Sequence, residues 1–256
     1  MSLSSCDAPP LLDKADSPLV ATLVPSPNFG PRRIAGGPDM LVLHYTGMAS
    51  ADAAIALLQS PAAEVSCHYV VREDGSIVQM VGESARAWHA GLSSWEGIAD
   101  INSRSIGIEI VNGGHDFGLP EFPQAQVAAV IALCRDILAR HPIRADRVLA
   151  HSDIAPARKR DPGEKFPWDR LAAAGIGHFA PRAPDQPGEV DMGRLRADLA
   201  AYGYAVPADA AGFSQVVAAF QRHFRPARVD GIADRATHAT LQALLATRPA
   251  DATPLA

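Results

Sequence analysis

The chain has 256 residues, 48% of them hydrophobic, and its 23 Lys and Arg against 28 Asp and Glu give a formal charge of -5. This is enough for one large domain with a small one, or two moderate domains, each with a real core; no long basic block recommends a nucleic-acid duplex as partner. No apolar run approaches the roughly 18 residues a membrane span requires, and Cys6, Cys67 and Cys134 form no CxxC pair, which argues against a disulfide framework or an all-cysteine metal site.

Residues 1–38 mix prolines, serines and "GPRRIAGGPD" without a period and read as an irregular lead-in wrapped on a domain. "MLVLHYT" at 40–46 is a short apolar run suited to a buried strand. Ser50 caps an expected helix carrying Ile55, Leu57 and Leu58, with Pro61 beyond its end. "CHYVVREDGSIVQMV" is two extended runs about Asp74 and Gly75, a hairpin signal. Cys67 and His68 are neighbours on the first run; their side chains point to opposite faces and cannot form a nucleophile and base pair.

"SRSIGIEIVNGG" alternates Ile106, Ile108 and Ile110 with Ser105, Gly107 and Glu109, the period of a strand. After Pro123, Val127, Val130, Ile131, Cys134, Ile137 and Leu138 recur at helical spacing up to His141, with Cys134 in the core-facing stripe. "RVLAHSD" is extended again and leads into "AHSDIAPARKRDPG", residues 150–163, where Pro156 and Pro162 prevent one regular helix. "HFAPRAPDQPG" at 178–188 reads as a linker. Helical patterns then gather around Leu195 and Leu199, around Val216, Val217 and Phe220, and from Leu241 to Leu245. They form a unit of three helices that is marginal alone and gains from a neighbour.

The chemistry centres on residues 150–163. A hydrolytic zinc takes three protein ligands and leaves a fourth position open; His151 and Asp161 can supply two. The best third is His44, a polar ring within "LVLHYT" whose buried neighbours offer it nothing polar. For any one histidine alone, a core imidazole bonded to a carbonyl is the commoner case, so spacing does not settle the matter.

"LVLHYT", "CHYVVREDGSIVQMV", "AWHAG", "SIGIEIVN" and "AHSDIAPARKRDPGEKFPW", in that order over residues 40–168, resemble the zinc-dependent N-acetylmuramoyl-L-alanine amidases of type 2, a family that shares its fold with animal peptidoglycan recognition proteins. The resemblance implies an α/β fold with a mixed central β-sheet and flanking helices. It makes His44, His151 and Asp161 ligands of Zn2+, Glu109 the catalytic acid and base, and Lys159 the cation that stabilises the transition state. It also places Trp88 and His89 along the substrate groove, with Asn112 nearby. The bond cut would join the lactyl group of N-acetylmuramic acid to L-alanine of the stem peptide, in peptidoglycan or muropeptides.

"VVAAFQRHFRPARVDGIADRATHATLQALL", residues 216–245, is similar to the three-helix peptidoglycan-binding domain that accompanies cell-wall hydrolases, with Phe220, Gln221, Phe224, Asp230, Gly231, Ile232 and Asp234 carrying the match. The expected organisation is a catalytic domain over 1–178, a linker over 179–188 and a small C-terminal helical domain over 189–256, in a monomer. Two other functions fit the resemblance: a module that binds muropeptides without cutting them, and a zinc peptidase acting within the stem peptide. Asp161 favours catalysis, because binding members of the fold lack the third ligand. The expected location is the cell envelope, in the periplasm. "LSSC", ending at Cys6, is similar to the lipid-modified cysteine segment of bacterial lipoproteins, here without the preceding apolar stretch, so an anchor through Cys6 would require a trimmed chain; the alternative location is the cytoplasm.

Overall fold

The computed structural model describes residues 12–184 and 188–249, and Cys6 lies outside them. In chain order its elements are β1 (Thr22–Leu23), β2 (Phe29–Pro31), β3 (Met40–Tyr45), α1 (Ala51–Gln59), β4 (Tyr69–Val71), β5 (Ile77–Gln79), β6 (Ala85–Ala87), α2 (Ile101–Arg104), β7 (Ser105–Ile110), α3 (Gln124–Arg140), β8 (Val148–Ala150), α4 (His151–Ile154), α5 (Trp168–Ala173), α6 (Met192–Tyr202), α7 (Ala210–Phe224) and α8 (Arg235–Ala246). A six-stranded sheet runs in the order β1-β5-β4-β7-β3-β8. Its pairs are parallel except the β4–β5 hairpin, which turns at Gly75 with a φ of 87° that suits glycine. The fold is therefore α/β with a mixed sheet.

The lead-in is less irregular than its composition predicts. Thr22 and Leu23 add β1 to the sheet edge beside β5, and Phe29–Pro31 pairs antiparallel with β6. Such short segments carry no side-chain period to read; pairing of their backbone groups defines them.

Alternation on the central strands divides the core. Ile106, Ile108 and Ile110 of β7 and Leu41 and Leu43 of β3 pack with Val127, Val130, Leu133, Cys134 and Ile137 of α3. Met40 and Val42 face the other way, into a cluster with Trp95, Ile101, Leu149 and Ile154. The same cluster contains Leu195 and Leu199 of α6, Val216 and Phe220 of α7, and Leu241 and Leu244 of α8. The C-terminal helices thus share a core with the sheet rather than sitting apart. Their starts are set by aspartates: Asp191, Asp209 and Asp234 accept from the backbone N–H groups of Arg194, Gly212 and Thr237, each cap contributing about 1 kcal/mol.

The stretch expected to be a linker is also packed where it is described. His178 is buried, its Nδ1 3.0 Å from the Tyr202 hydroxyl, and Arg182 donates to the Phe224 carbonyl at 3.2 Å.

Parallel strands bring their carboxyl ends to one edge, where α/β sheets place their sites. His44 and Glu109 are register partners one residue from the ends of β3 and β7, and His151 is the first residue after β8.

Candidate active site

His44 is buried on β3, on the same face as Val42, and reaches across the sheet edge to the segment that follows β8. Its Nδ1 lies 2.9 Å from Nδ1 of His151 and 3.1 Å from Oδ2 of Asp161, and His151 Nδ1 is 2.9 Å from the same carboxylate oxygen. The three side chains are remote in sequence. They converge because β3 and β8 are adjacent and because the His151 turn is tied to Asp161: Ser152 N–H donates to the Asp161 carbonyl at 3.0 Å.

The hydrogen-bond chain behind His44 assigns its tautomer. Ser105 Oγ donates to the Ile101 carbonyl at 2.7 Å, so its contact of 3.1 Å with His89 Nε2 places the imidazole proton on His89. His89 Nδ1 then accepts from His44 Nε2 at 3.0 Å, leaving a lone pair on His44 Nδ1. Nε2 of His151 faces the Ala90 carbonyl at 3.1 Å, which can only accept, so a neutral His151 ring also aims a lone pair inward. Burial, with the nearby His151 acting the same way, lowers His44 to about 4 despite the opposing pull of Asp161, so its ring is neutral at pH 7.

With both rings in their neutral form, two ring lone pairs and one carboxylate oxygen meet within 4.8 Å of one another with no proton to bridge them. Such a donor set suits a divalent cation. Ligand distances of about 2.0–2.1 Å in a tetrahedral zinc site separate donor atoms by about 3.3 Å, close to the observed spacing. The remaining ring nitrogens are oriented by a second set of acceptors, as in metal sites generally.

Glu109 stands beside this group. Its Oε2 is buried without a hydrogen-bond partner among the described residues. Burial pushes its carboxyl well above the ordinary value, with Asp161 acting in the same direction and Lys159 opposing. Gly107, two residues earlier on the same face, leaves room for His89: a Cβ there would come within 2.5 Å of the imidazole. Any side chain at 107 would displace the ring that holds His44.

Glu109, His151, Asp161, Lys159, Trp88 and His89 line one cleft of about 420 Å³, walled also by Leu57, Leu58 and Val65. The structure separates Lys159 from the arginines beside it. Arg158 donates to the carbonyls of Ala90 and Leu92, and Arg160 pairs with Asp116 at 3.5 Å. Lys159 has no ion-pair partner among the described residues and faces the cleft half-buried.

Asn112 departs from its expected place along the groove. Its Nδ2 donates to the Pro120 carbonyl at 2.9 Å and its Oδ1 accepts from Gly114 N–H at 2.8 Å. Both ends of the amide hold the loop after β7, outside the lining of the cleft that contains the histidines. Its position after the Glu109 strand gave no way to distinguish a turn-holding amide from a groove-facing one.

Sequence reading passed over Ser105, although its alternation with Ile106 already put it on the face of Glu109. It also passed over His115, whose Nδ1 is 3.0 Å from the Tyr45 hydroxyl and whose Nε2 is 3.0 Å from Glu164 Oε2. Nothing in the local pattern marks that pairing. His68 and Cys67 are fully buried and do not form a dyad: His68 Nδ1 accepts from Gly107 N–H, and Cys67 Sγ contacts the Tyr69 carbonyl.

Comparison with known proteins gives two family matches: the N-acetylmuramoyl-L-alanine amidase model over residues 35–164 and a peptidoglycan binding domain model over residues 189–241. N-acetylmuramoyl-L-alanine amidase AmiD of Escherichia coli K12 is 43% identical over 230 residues, covering 80% of this chain and 82% of that protein. The 1,6-anhydro-N-acetylmuramyl-L-alanine amidase AmpD of Salmonella typhimurium SL1344 is 36% identical over 170 residues, 60% of this chain and 89% of its own length. Among solved structures, AmiD of E. coli complexed with its substrate anhydro-N-acetylmuramic acid-L-Ala-D-gamma-Glu-L-Lys aligns with a TM-score of 0.76 at 40% identity, covering 84% of this chain and 91% of that one. AmpDh3 of Pseudomonas aeruginosa, complexed with anhydromuramic pentapeptide, aligns with a TM-score of 0.76 at 37% identity, covering 83% and 93%. The agreement with AmiD extends over about four-fifths of each chain and not one motif, and on that ground the protein belongs to the N-acetylmuramoyl-L-alanine amidase family.

Proposed function

We propose that His44, His151 and Asp161 hold a zinc ion and that this cleft carries out the family's reaction, hydrolysis of the amide bond between N-acetylmuramic acid and the L-alanine of the stem peptide. The observation that carries the reading is the convergence of three buried donors, with the second nitrogen of each imidazole engaged elsewhere, by His89 for His44 and by the Ala90 carbonyl for His151. Zinc bound there supplies Lewis acidity, polarising the amide carbonyl and easing loss of a proton from the attacking water. Glu109 receives that proton on its unpartnered oxygen and returns it to the departing amine as the C–N bond breaks. Its raised affinity for a proton suits the second half of that task. Lys159, free of the pairing that engages Arg158 and Arg160, stabilises the charge gathering on the carbonyl oxygen, a contribution of roughly 3 kcal/mol for single donors in other hydrolases.

Trp88 is read as a wall of the substrate groove, and His89, which shares the cleft, as the residue that orients His44. The C-terminal residues 189–256 are read as a wall-binding unit that raises local enzyme concentration at an insoluble polymer. Among the described residues no helix is long and apolar enough to cross a membrane. The wall-binding match favours the envelope as the place of action, and completion of the site within one chain favours a monomer.

Muropeptides digested with and without a chelator, analysed by mass, test the reading. Intact stem peptides freed from sugar, and lost on chelation, are expected. Products that keep L-alanine on the sugar would make the protein a stem-peptide hydrolase, and no products would make it a binding module.

A further inference from the structure

The helical turn that presents His151 is held partly from the C-terminal unit. Asp153, two residues after the ligand, is 1% exposed, and one of its oxygens, Oδ2, accepts from Ala150 N–H at 2.8 Å, fixing the backbone immediately before His151. Its other partners come from the C-terminal unit, one from α7 and one from the loop before it. His223 of α7 donates from Nδ1 to Oδ2 at 2.7 Å, and the Tyr204 hydroxyl donates to Oδ1 at 2.7 Å. His223 is itself 2% exposed and clamped between rings, stacked on Trp168 at 3.7 Å and Phe224 at 4.0 Å, so its contact with Asp153 is a fixed one. The neighbouring Arg222 approaches Glu164, three residues beyond Asp161, at 3.9 Å. Helix α7 therefore touches both segments that carry ligands from residues 150–163. The apolar interface is continuous with this contact, since Ile154 and Ala155 share a cluster with Val216, Phe220 and Phe224.

We propose that the C-terminal unit is a working part of the metal site, with His223 and Tyr204 acting as positioning residues that set His151 through Asp153. The proposal rests on the zinc reading above. A wall-binding appendage alone would contribute local concentration and leave metal affinity untouched; a brace on the ligand turn does the opposite. Loss of the His223 donor leaves Asp153 held from the C-terminal unit by Tyr204 alone, and the anchor it gives the backbone before His151 is loosened. Partners beyond the ligands of metal sites typically change metal affinity by about 10–100-fold.

The test uses the full chain. His223→Ala, His223→Asn and Tyr204→Phe are purified alongside wild type, and zinc affinity is measured by competition with a chromogenic chelator, with the visible spectrum of the cobalt-substituted proteins as a second readout. His223→Ala is expected to bind zinc about tenfold more weakly and to alter the cobalt bands. His223→Asn, which keeps an N–H donor near the place of Nδ1, should recover most of the loss. Tyr204→Phe removes one hydroxyl and keeps the ring, so it reports even if His223→Ala does not fold; a severalfold loss is expected. Wild-type affinity and spectrum in Tyr204→Phe, together with a His223→Ala protein that is merely less heat-stable, would overturn the proposal and reduce the contact to a domain anchor. If wild type takes up no zinc, the metal reading itself fails, and the His151 position in a crystal structure of Tyr204→Phe still decides the brace: a displaced ring supports it and an unmoved ring refutes it.

Discussion

Two glutamates of this chain, Glu83 buried and Glu109 half-buried, are treated in opposite ways. Glu83 is 4% exposed and accepts from the Tyr69 hydroxyl at 2.6 Å, from His141 Nε2 at 2.7 Å and from both terminal nitrogens of Arg140. Burial on its own would raise its carboxyl, but those donors outweigh it and bring the value down to about 2. Glu109 lies across the sheet edge with Oε2 unpartnered, and burial pushes it the other way. A satisfied carboxylate helps hold the end of α3 to the sheet. One left unsatisfied at a cleft costs stability and is retained where its chemistry is needed. Stability and activity should therefore separate at these two positions, and substitutions can test whether they do.

The largest effect falls on the centre that gives Glu109 its use. His151→Ala should lose zinc and reduce muropeptide cleavage to background, read by metal content and by peptide release. Next, Glu109→Gln should keep a full complement of zinc and lose about 10²–10⁴-fold in kcat, with a Tm close to wild type because Oε2 has no hydrogen-bond partner among the described residues to lose. Turnover at the wild-type rate would remove Glu109 from the mechanism. Lys159→Met should lower kcat about 10²–10³-fold with little change in Tm, since the lysine makes no ion pair among the described residues. A drop in Tm as large as that of a core substitution would mean that Lys159 is structural after all.

Much of this was legible in the sequence because it was written in periods and caps. The alternation of Ile106, Ile108 and Ile110 gave β7 and put Glu109 on the opposite face; the recurrence from Val127 to Ile137 gave α3; Ser50 gave the start of α1, where its side chain accepts from Ala53 N–H. The histidines and Asp161 were recognisable by resemblance, while their convergence depends on β3 and β8 lying side by side, a fact of topology with no local signal. The lead-in strands escaped for a related reason: runs as short as Thr22–Leu23 have backbone pairing and no pattern. Asp153 reads as an ordinary loop acid until α7, some seventy residues later, brings His223 to it. Asn112 shows the converse, since motif position pointed to the groove and the fold gave its amide to a turn. Residues that bond across the chain carry their meaning in their partners.

The smallest effect on catalysis and the clearest on stability belongs to Glu83. Its folded value of about 2 lies below its ordinary 4.5, so the stabilisation it contributes is fully present above pH 4.5 and is lost as pH falls towards 2. A displacement of that size corresponds to about 3 kcal/mol at neutral pH. Glu83→Gln keeps the shape and removes the charge. At pH 7 its Tm should fall by roughly 6–12 °C for a chain of this size, with kcat at 25 °C within about twofold of wild type, since Glu83 does not line the cleft. Other carboxylates titrate in both proteins, so the informative quantity is the difference in stability between variant and wild type. That gap should be constant from pH 7 to about 5 and should close as the wild-type carboxyl takes up its proton below pH 4. A gap that persists unchanged at pH 2.5 would mean that Tyr69, His141 and Arg140 do not hold Glu83 ionised, and the contrast with Glu109 would reduce to a difference in exposure.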